Sequence, residues 1–163
     1  MIFDLLTDEK ITAKFPVAER RAIKEFVPWT RLVQAVRTSH NGRMVDLPEF
    51  VLKHRNKLVL KPNDDSTDLH PVQGAEVDDA AWEKALRQAM RTPFVVQESV
   101  EPAHAVFPLM QYGSLIMKDM VVHLHPHAFL GKVHGASSWL SPAGSNGFST
   151  LTGLAPTFLL EGK

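Results

Sequence analysis

The chain has 163 residues, 44% of them hydrophobic, and this length and composition fit one globular domain with a sizeable core. Lys plus Arg and Asp plus Glu are balanced at 18 each, so neither the net charge nor any basic run favours binding to nucleic acid or to an anionic membrane. The absence of cysteine excludes disulfides, thiolate metal ligands and a cysteine nucleophile.

The start of the chain has no targeting pattern. The sequence "MIFDLLTDEK" lacks the basic flank and the apolar centre of a signal peptide. No apolar stretch reaches the roughly 20 residues that a membrane-spanning helix requires. We therefore expect a cytoplasmic protein with neither a membrane nor a nucleic acid as its partner.

The first predicted elements are two helices and a strand. "KFPVAERRAIKEFV" places Pro16 in a first helical turn and apolar residues at helical spacing, and Pro28 ends the helix. "LPEFVLKHR" predicts a second, shorter helix. "KLVLKP" then predicts a strand that ends at Pro62.

A third helix and several strands follow. "DDAAWEKALRQAM" has acids at its front and Trp82, Leu86 and Ala89 at helical spacing, which makes it the clearest helix of the chain. "PFVVQESV" predicts a strand, and the Pro- and Ala-rich residues 101–108 predict an irregular crossing. "SLIMKDMVVHLHPHAFLGKVHGASSWL" predicts two or three strands, "SPAGSNGFSTLTG" a long loop and "LAPTFLLEG" a closing strand.

These elements predict one domain. No internal repeat or low-complexity linker interrupts the chain, so we predict a single α+β domain over 1–163 with a mainly antiparallel sheet and packed helices. Residues 1–45 form its N-terminal helical segment and 46–163 its α+β part. The three tryptophans are predicted to be core residues: Trp29, Trp82 and Trp139.

The stretch "HLHPH" suggests a metal site. Residues two apart on a strand share a face, which would bring together three imidazoles: His123, His125 and His127. Two histidines at this spacing can bind one Zn²⁺ or Ni²⁺, with Asp119 or His134 as a further ligand. Pro126 predicts an edge strand or a bulge there. The alternative, which we favour, is a polar strand face without a metal.

Five segments, in their order and spacing, resemble the C-terminal part of the circularly permuted ATP-grasp proteins, which are relatives of glutathionylspermidine synthetase: "VPWTRLV", "VDLPEFVLKHRNKLVLKPNDD", "WEKALRQAM", "PFVVQE" and "GLAPTFLLE". The resemblance covers nearly the whole chain. It implies an ATP-grasp-like C-terminal domain, and a reaction in which ATP phosphorylates a carboxylate and an amine captures the acyl phosphate.

The resemblance also implies a nucleotide site. Lys61 is similar to the phosphate-binding lysine of the family, and Asp65 to its magnesium carboxylate, with Asn63 and Asp64 nearby. A hinge that binds adenine through its backbone and ribose through a side chain is similar to three consecutive residues: Val96, Gln97 and Glu98. Without the resemblance, a solvated turn after a strand is the favoured interpretation of Lys61 and Asp65, and Gln97 and Glu98 fit an exposed strand end as well as a hinge.

The chain departs from the family at the phosphate loop. Where relatives have a tyrosine and three glycines, this sequence has Ser66, Thr67, Asp68 and His70. Thr67 is β-branched and poorly suited to positive φ, and Asp68 adds negative charge where a polyanion should bind. The family's Asp-Leu-Asp-Pro-Tyr is "HLHPH" here, and Trp139 takes the place of an arginine that faces the transferred phosphate. ATP and Mg²⁺ are therefore expected to bind weakly or not at all.

The later glycine-rich loop of the family is also reduced, with three possible remnants here: Asn146, Gly147 and Gly153. Family members are longer, and their substrate lobe lies upstream of the residues present here. The sequence thus predicts a truncated or degenerate ATP-grasp domain, weakly active or inactive alone. The alternatives are a non-catalytic module, either a homodimer or docked to a separate N-terminal half, and a histidine-based metal-binding domain.

Overall fold

The computed structural model describes residues 2–63, 69–142 and 153–158. The fold is α+β and every strand pair is antiparallel, which confirms the predicted class. The chain groups into two compact units, Met1–Val100 and Glu101–Lys163. This grouping does not decide whether the chain is the single domain expected from the sequence, and that expectation stays a prediction.

The first unit contains five helices and six strands in its described part. The helices are α1 (Ile2–Leu6), α2 (Glu9–Thr12), α3 (Val17–Phe26), α4 (Leu47–Lys53) and α5 (Asp79–Ala89). The strands are β1 (Thr30–Leu32), β2 (Arg37–His40), β3 (Arg43–Asp46), β4 (Leu58–Pro62), β5 (Val72–Gln73) and β6 (Phe94–Glu98), and a 3₁₀ turn precedes β4 at Arg55–Lys57. Four strands form a sheet in the order β1-β6-β4-β5, while β2 and β3 form a separate hairpin.

Side-chain caps fix the two helices that cover this sheet. Asp46 accepts a hydrogen bond from the backbone N–H of Glu49 at the start of α4. Asp78 does the same for Ala81 at the start of α5. Such caps satisfy N–H groups that have no partner within the helix, which explains why both helices begin where the sequence predicts.

The core of the first unit lies between α4, α5 and one face of the sheet. Its buried residues are Val33, Leu47, Val51, Leu58, Leu60, Trp82, Leu86, Ala89, Phe94 and Val96. Trp82 is only 1% exposed, and its Nε1 donates to the carbonyl of Val51. Trp29 packs against the same cluster in a partly buried position. The core prediction is therefore confirmed for Trp82, while Trp29 lies at the border of the core.

The segment expected to be helical contains strands as well. The predicted helix is present as α3, and two short helices precede it. Between α3 and α4, however, the chain forms β1, β2 and β3. The β2–β3 hairpin turns at Asn41 and Gly42, both at positive φ, an Asn-Gly pair typical of a type I′ turn.

The second unit is an antiparallel sheet built from long hairpins. Its strands are β7 (Ala103–Gln111), β8 (Ser114–Phe129), β9 (Lys132–Pro142) and β10 (Gly153–Ala155), in the spatial order β10-β9-β8-β7. The two tight turns place Tyr112-Gly113 and Leu130-Gly131 at positive φ. Of the two or three strands expected between residues 114 and 140, two are present.

The irregular crossing predicted for residues 101–108 is wrong. Residues 103–108 belong to β7 and pair with residues 117–122 of β8. Pro108 is compatible with this because β7 is an edge strand, where a missing N–H need not break the sheet. The predicted closing strand is present in part, as Leu154 and Ala155 of β10. The predicted long loop falls almost entirely on residues 143–152, outside the described residues.

The two faces of the β7–β8 hairpin differ in exposure. Cross-strand partners share a face, which puts Met110 opposite Leu115 and Pro108 opposite Met117. Four apolar side chains on this face are 61–72% exposed, and together we call them the β7–β8 apolar face: Val106, Met110, Leu115 and Met117. On the other face, Met120 is fully buried and Phe107 and Ile116 are partly buried.

Within the described residues, no helix combines the length and the apolar character needed to cross a membrane.

Candidate functional site

Lys61 and Gln97 lie side by side on one face of the first unit's sheet. Lys61 is opposite Val95 on the neighbouring strand β6, and Gln97 is two residues further along that strand. Lys61 Nζ donates to Gln97 Oε1 at 2.7 Å. Gln97 Nε2 in turn donates to Thr30 Oγ1 of β1 at 2.9 Å. We call this arrangement the Lys61–Gln97–Thr30 chain.

Burial governs the electrostatics of the Lys61–Gln97–Thr30 chain. Gln97 and Thr30 are buried, and Lys61 is half-buried. Burial lowers the pKa of the Lys61 ammonium, because leaving water disfavours its charged form. In the described ranges no carboxylate forms an ion pair with Lys61. An ammonium has three N–H donors, and Gln97 accepts one of them, so this group is suited to offset the charge of an anion.

The other two residues of the predicted hinge point away from Lys61. Val96 is fully buried in the core on the opposite face of the sheet. Glu98 is on that face too, and its Oε1 lies 2.8 Å from His40 Nε2. Gln97 is therefore the only hinge residue whose side chain contacts Lys61.

The remaining nucleotide-site residues are only partly described. Asn63 follows β4, and its backbone N–H donates to the carbonyl of Pro93 at 2.9 Å. Asp64 and Asp65, which the resemblance assigns to Mg²⁺, lie outside the described residues, as do Ser66, Thr67 and Asp68. Their role as magnesium ligands stays a prediction.

A buried arginine next to this chain was not anticipated from the sequence. Arg31 of β1 is 7% exposed, and each of its five N–H groups has an oxygen acceptor within 2.7–3.2 Å. We call these groups the Arg31 cluster; the acceptors are Thr7 Oγ1, the Thr7 carbonyl, the Thr30 carbonyl, Thr38 Oγ1 and the Ser39 carbonyl. All are neutral, and burial lowers the pKa of Arg31 while Asp4, Asp8 and Glu9 oppose that effect.

The Arg31 cluster and the Lys61–Gln97–Thr30 chain share Thr30, so their hydrogen bonds form one connected network. Thr7 Oγ1 donates to the carbonyl of Thr30 at 2.9 Å, so the end of α1 meets the outer edge of β1. Alternation of apolar and polar residues in "PWTRLV" could have revealed that Arg31 and Trp29 share a face of a strand. No pattern in the neighbouring sequence indicates which groups accept hydrogen bonds from Arg31.

The three histidines of "HLHPH" do share one face of β8. His123 Nε2 lies 3.0 Å from Ser141 Oγ, and His127 Nε2 lies 3.1 Å from Ser137 Oγ on β9. The register shifts just after His127, next to Pro126, as expected for a bulge. His125 completes the row from its place opposite Ser137.

The metal hypothesis gains no support from the described part of the chain, which contains no group of three or more His, Asp or Glu side chains placed to hold an ion. Asp119 instead lies 3.1 Å from His104, and the His134 ring is 6.5 Å from that of Phe129. Trp139 on the histidine face is 43% exposed, so the prediction that it is a core residue is wrong. Its cross-strand partners His123 and Leu154 are exposed as well, so this part of the sheet does not cover a core.

Comparison with known proteins assigns no family to the chain. No protein-family model matches it, and no curated protein matches it.

Proposed function

We propose that the chain is a truncated or degenerate ATP-grasp domain, related to ATP-dependent carboxylate–amine ligases and weakly active or inactive alone. The contact between Lys61 and Gln97 carries the proposal. Two residues that the resemblance assigns to the phosphates and to the nucleoside are 36 positions apart, yet their side chains meet at 2.7 Å. A cation beside an amide, on a sheet face, is a suitable start for a nucleotide site.

The structure around this contact supports weak rather than productive binding. Val96 and Gln97 are paired on both sides, with β1 and with β4. The N–H of Glu98 donates to the carbonyl of Trp29 at 2.9 Å. Adenine would have to hydrogen-bond the backbone N–H and C=O groups of this segment. Those groups are already paired with other backbone groups. The loop glycines that would let backbone N–H groups approach phosphate oxygens are missing from the sequence as well.

We expect Mg-ATP to bind the full chain with a dissociation constant no tighter than about 1 mM, and we expect no phosphoryl transfer. Losing several charge-assisted hydrogen bonds, each worth roughly 1.5–3 kcal/mol, weakens binding by a few powers of ten. Isothermal titration calorimetry measures the constant directly. Lys61→Ala should abolish the residual heat, whereas Lys57→Ala, which removes an exposed lysine on the preceding turn, should not.

Micromolar binding of Mg-ATP that Lys61→Ala abolishes and Lys57→Ala preserves would contradict the degenerate-site proposal. The loop after Lys61 would then be a working phosphate loop without glycines.

A non-catalytic assembly module is a second candidate function, and the β7–β8 apolar face favours it. Its four apolar side chains are all more than half exposed. Contiguous apolar patches are uncommon on soluble monomers unless they mark an interaction surface. The occupant we propose is a second copy of the chain, because a two-fold contact lets one such face cover its own equivalent.

Light scattering should therefore show the average mass rising from monomer toward dimer across micromolar to millimolar concentrations. The paired change Met110→Glu and Met117→Glu should keep the chain monomeric, because it places charges on the apolar face. Gln111→Glu with Ser114→Glu adds the same charge to the opposite face of the same hairpin and should not. A strict monomer at every concentration would exclude self-association through this face.

A further inference from the structure

A cavity of about 550 Å³ lies in the first unit, between the N-terminal helices and strands β1 and β2. Its volume falls within the roughly 300–1,000 Å³ typical of small-molecule sites. The predicted hinge residue Glu98 lines it, but neither Lys61 nor Gln97 does, so the cavity is separate from the contact between those two side chains.

Helix α3 forms one wall of this cavity. Its lining residues Arg20, Ile23 and Lys24 are three and four positions apart and so share one face of the helix, and Val27 directly after the helix also lines the cavity. No residue of α3 is buried, although the helix is amphipathic. An amphipathic helix normally buries its apolar stripe against a core. Here Ile23 and the following Val27 line open space large enough for a ligand.

The opposite wall is aromatic and positively charged. Trp29 and Arg31 line it, with the Arg31 guanidinium 5.2 Å from the centre of the Trp29 ring. Because all five N–H groups of Arg31 already have acceptors, it contributes charge to the cavity but no free donor.

The ionic groups at the cavity favour an anion of low charge. Three cations line it, Arg20, Lys24 and Arg31, against the carboxylates of Glu9 and Glu98. Glu98 lies 2.8 Å from His40, while in the described ranges Arg20 and Lys24 form no ion pair. The two cations of α3 are thus available to a ligand, and the two carboxylates disfavour a polyanion.

We propose that this cavity binds a small organic monoanion or dianion whose carboxylate or phosphate lies between Arg20 and Lys24. The rest of the ligand is aromatic or apolar and lies against Trp29 and Ile23. Arg20 and Lys24 favour a negatively charged head group. Ile23 and the Trp29 indole favour an aromatic or apolar body. This site goes beyond the nucleotide proposal and does not depend on it.

Calorimetry with 2-naphthoate, 2-naphthyl phosphate and the neutral 2-naphthalenemethanol tests the proposal on the full chain. We expect saturable binding of at least one of the two anions below about 1 mM, and about tenfold weaker binding of the alcohol. Comparing the two anions shows which head group the site prefers. Arg20→Gln with Lys24→Gln should weaken binding of the anion about tenfold, since it removes both charges proposed to hold the head group.

The matched control is Lys14→Gln with Arg21→Gln, which removes the same charge from exposed residues that do not line the cavity. Its binding should stay within about twofold of that of the unmodified chain. A second measurement locates the ligand by NMR. The Trp29 indole N–H, which donates to the Ser39 carbonyl at 3.0 Å, should shift on binding, while that of the core residue Trp82 should not.

Three binding results would overturn the proposal: no saturable binding of either anion, equal weakening by both double variants, or an alcohol that binds as tightly as the anions. A shift of the Trp82 indole without one at Trp29 would also overturn it, because the ligand would then lie elsewhere.

Discussion

Gly74→Ala is expected to destabilise the first unit by about 3 kcal/mol, at the upper end of the cost of overpacking. A Cβ at Gly74 would lie 2.1 Å from the Arg55 carbonyl oxygen and 2.8 Å from the carbon of that group. These are backbone atoms, which cannot turn aside as a flexible side chain can. Gly74 itself is fixed, since its N–H donates to the Leu58 carbonyl at 2.9 Å and its carbonyl accepts from Arg55 Nη1.

Thermal unfolding followed by circular dichroism measures this effect. For a unit of about 100 residues, a loss of about 3 kcal/mol lowers the midpoint by at least about 10 °C. Gly135→Ala is the matched control, because a Cβ there meets nothing within 4 Å. It should leave the midpoint unchanged or raise it slightly, as alanine has less freedom to lose on folding. If Gly74→Ala melts together with the control, β5 does not approach the Arg55–Leu58 segment as closely as the structure has it.

Local patterns predict the elements whose apolar residues and boundaries lie within one stretch of sequence. The helices α4 and α5 have acidic caps and apolar residues at helical spacing, and β4 and β6 are short apolar runs bounded by Pro62 and Pro93. In each case a single window of sequence contains both the period and the boundary. These elements were predicted within about two residues, which is the usual uncertainty of element ends.

Elements that depend on distant partners were missed. The strand β1 has three residues, and its place is set by pairing with residues 95–97 far along the chain. In β7 the alanines and Pro108 hide the two faces of the strand, one with Val106 and Pro108 and the other with Phe107 and Leu109. The composition of this segment resembles a loop, while its hairpin with β8 makes it a strand. Tertiary pairing here overrides local propensity.

The residues of the candidate site also divide into those that a local pattern identifies and those whose partners are distant in sequence. Lys61 and Gln97 were both singled out, and their strands turned out to be neighbours in the sheet. Thr30, which accepts from Gln97, is 67 positions away from it, so no local pattern could have connected them. The oxygens around Arg31 are mostly backbone carbonyls, whose positions depend on the folded chain and not on residue type.

Arg31→Met should cost the first unit about 3 kcal/mol, because buried acceptors that lose a donor cost about 1–3 kcal/mol each. The Thr7 carbonyl would lose its Arg31 donor, while the Thr30 and Ser39 carbonyls would each keep a second donor, Thr7 Oγ1 and Trp29 Nε1. An opposing effect exists: burial lowers the pKa of Arg31, which means that the buried guanidinium itself carries a desolvation cost that methionine would remove. We expect the loss of hydrogen bonds to dominate, since five bonds to oxygen disappear and the apolar stem is largely kept.

Arg31→Lys separates the two effects. It keeps the charge but has at most three donors in place of five, so it should lie between the unmodified chain and Arg31→Met in urea unfolding. Arg37→Met on the neighbouring strand β2 is the matched control, because Arg37 is exposed and, within the described residues, forms no ion pair. Its free energy of unfolding should stay within about 0.5 kcal/mol of that of the unmodified chain. If Arg31→Met were as stable as this control, the desolvation cost of the guanidinium would equal its five hydrogen bonds. The Arg31 cluster would then determine how α1 joins β1 without adding to stability.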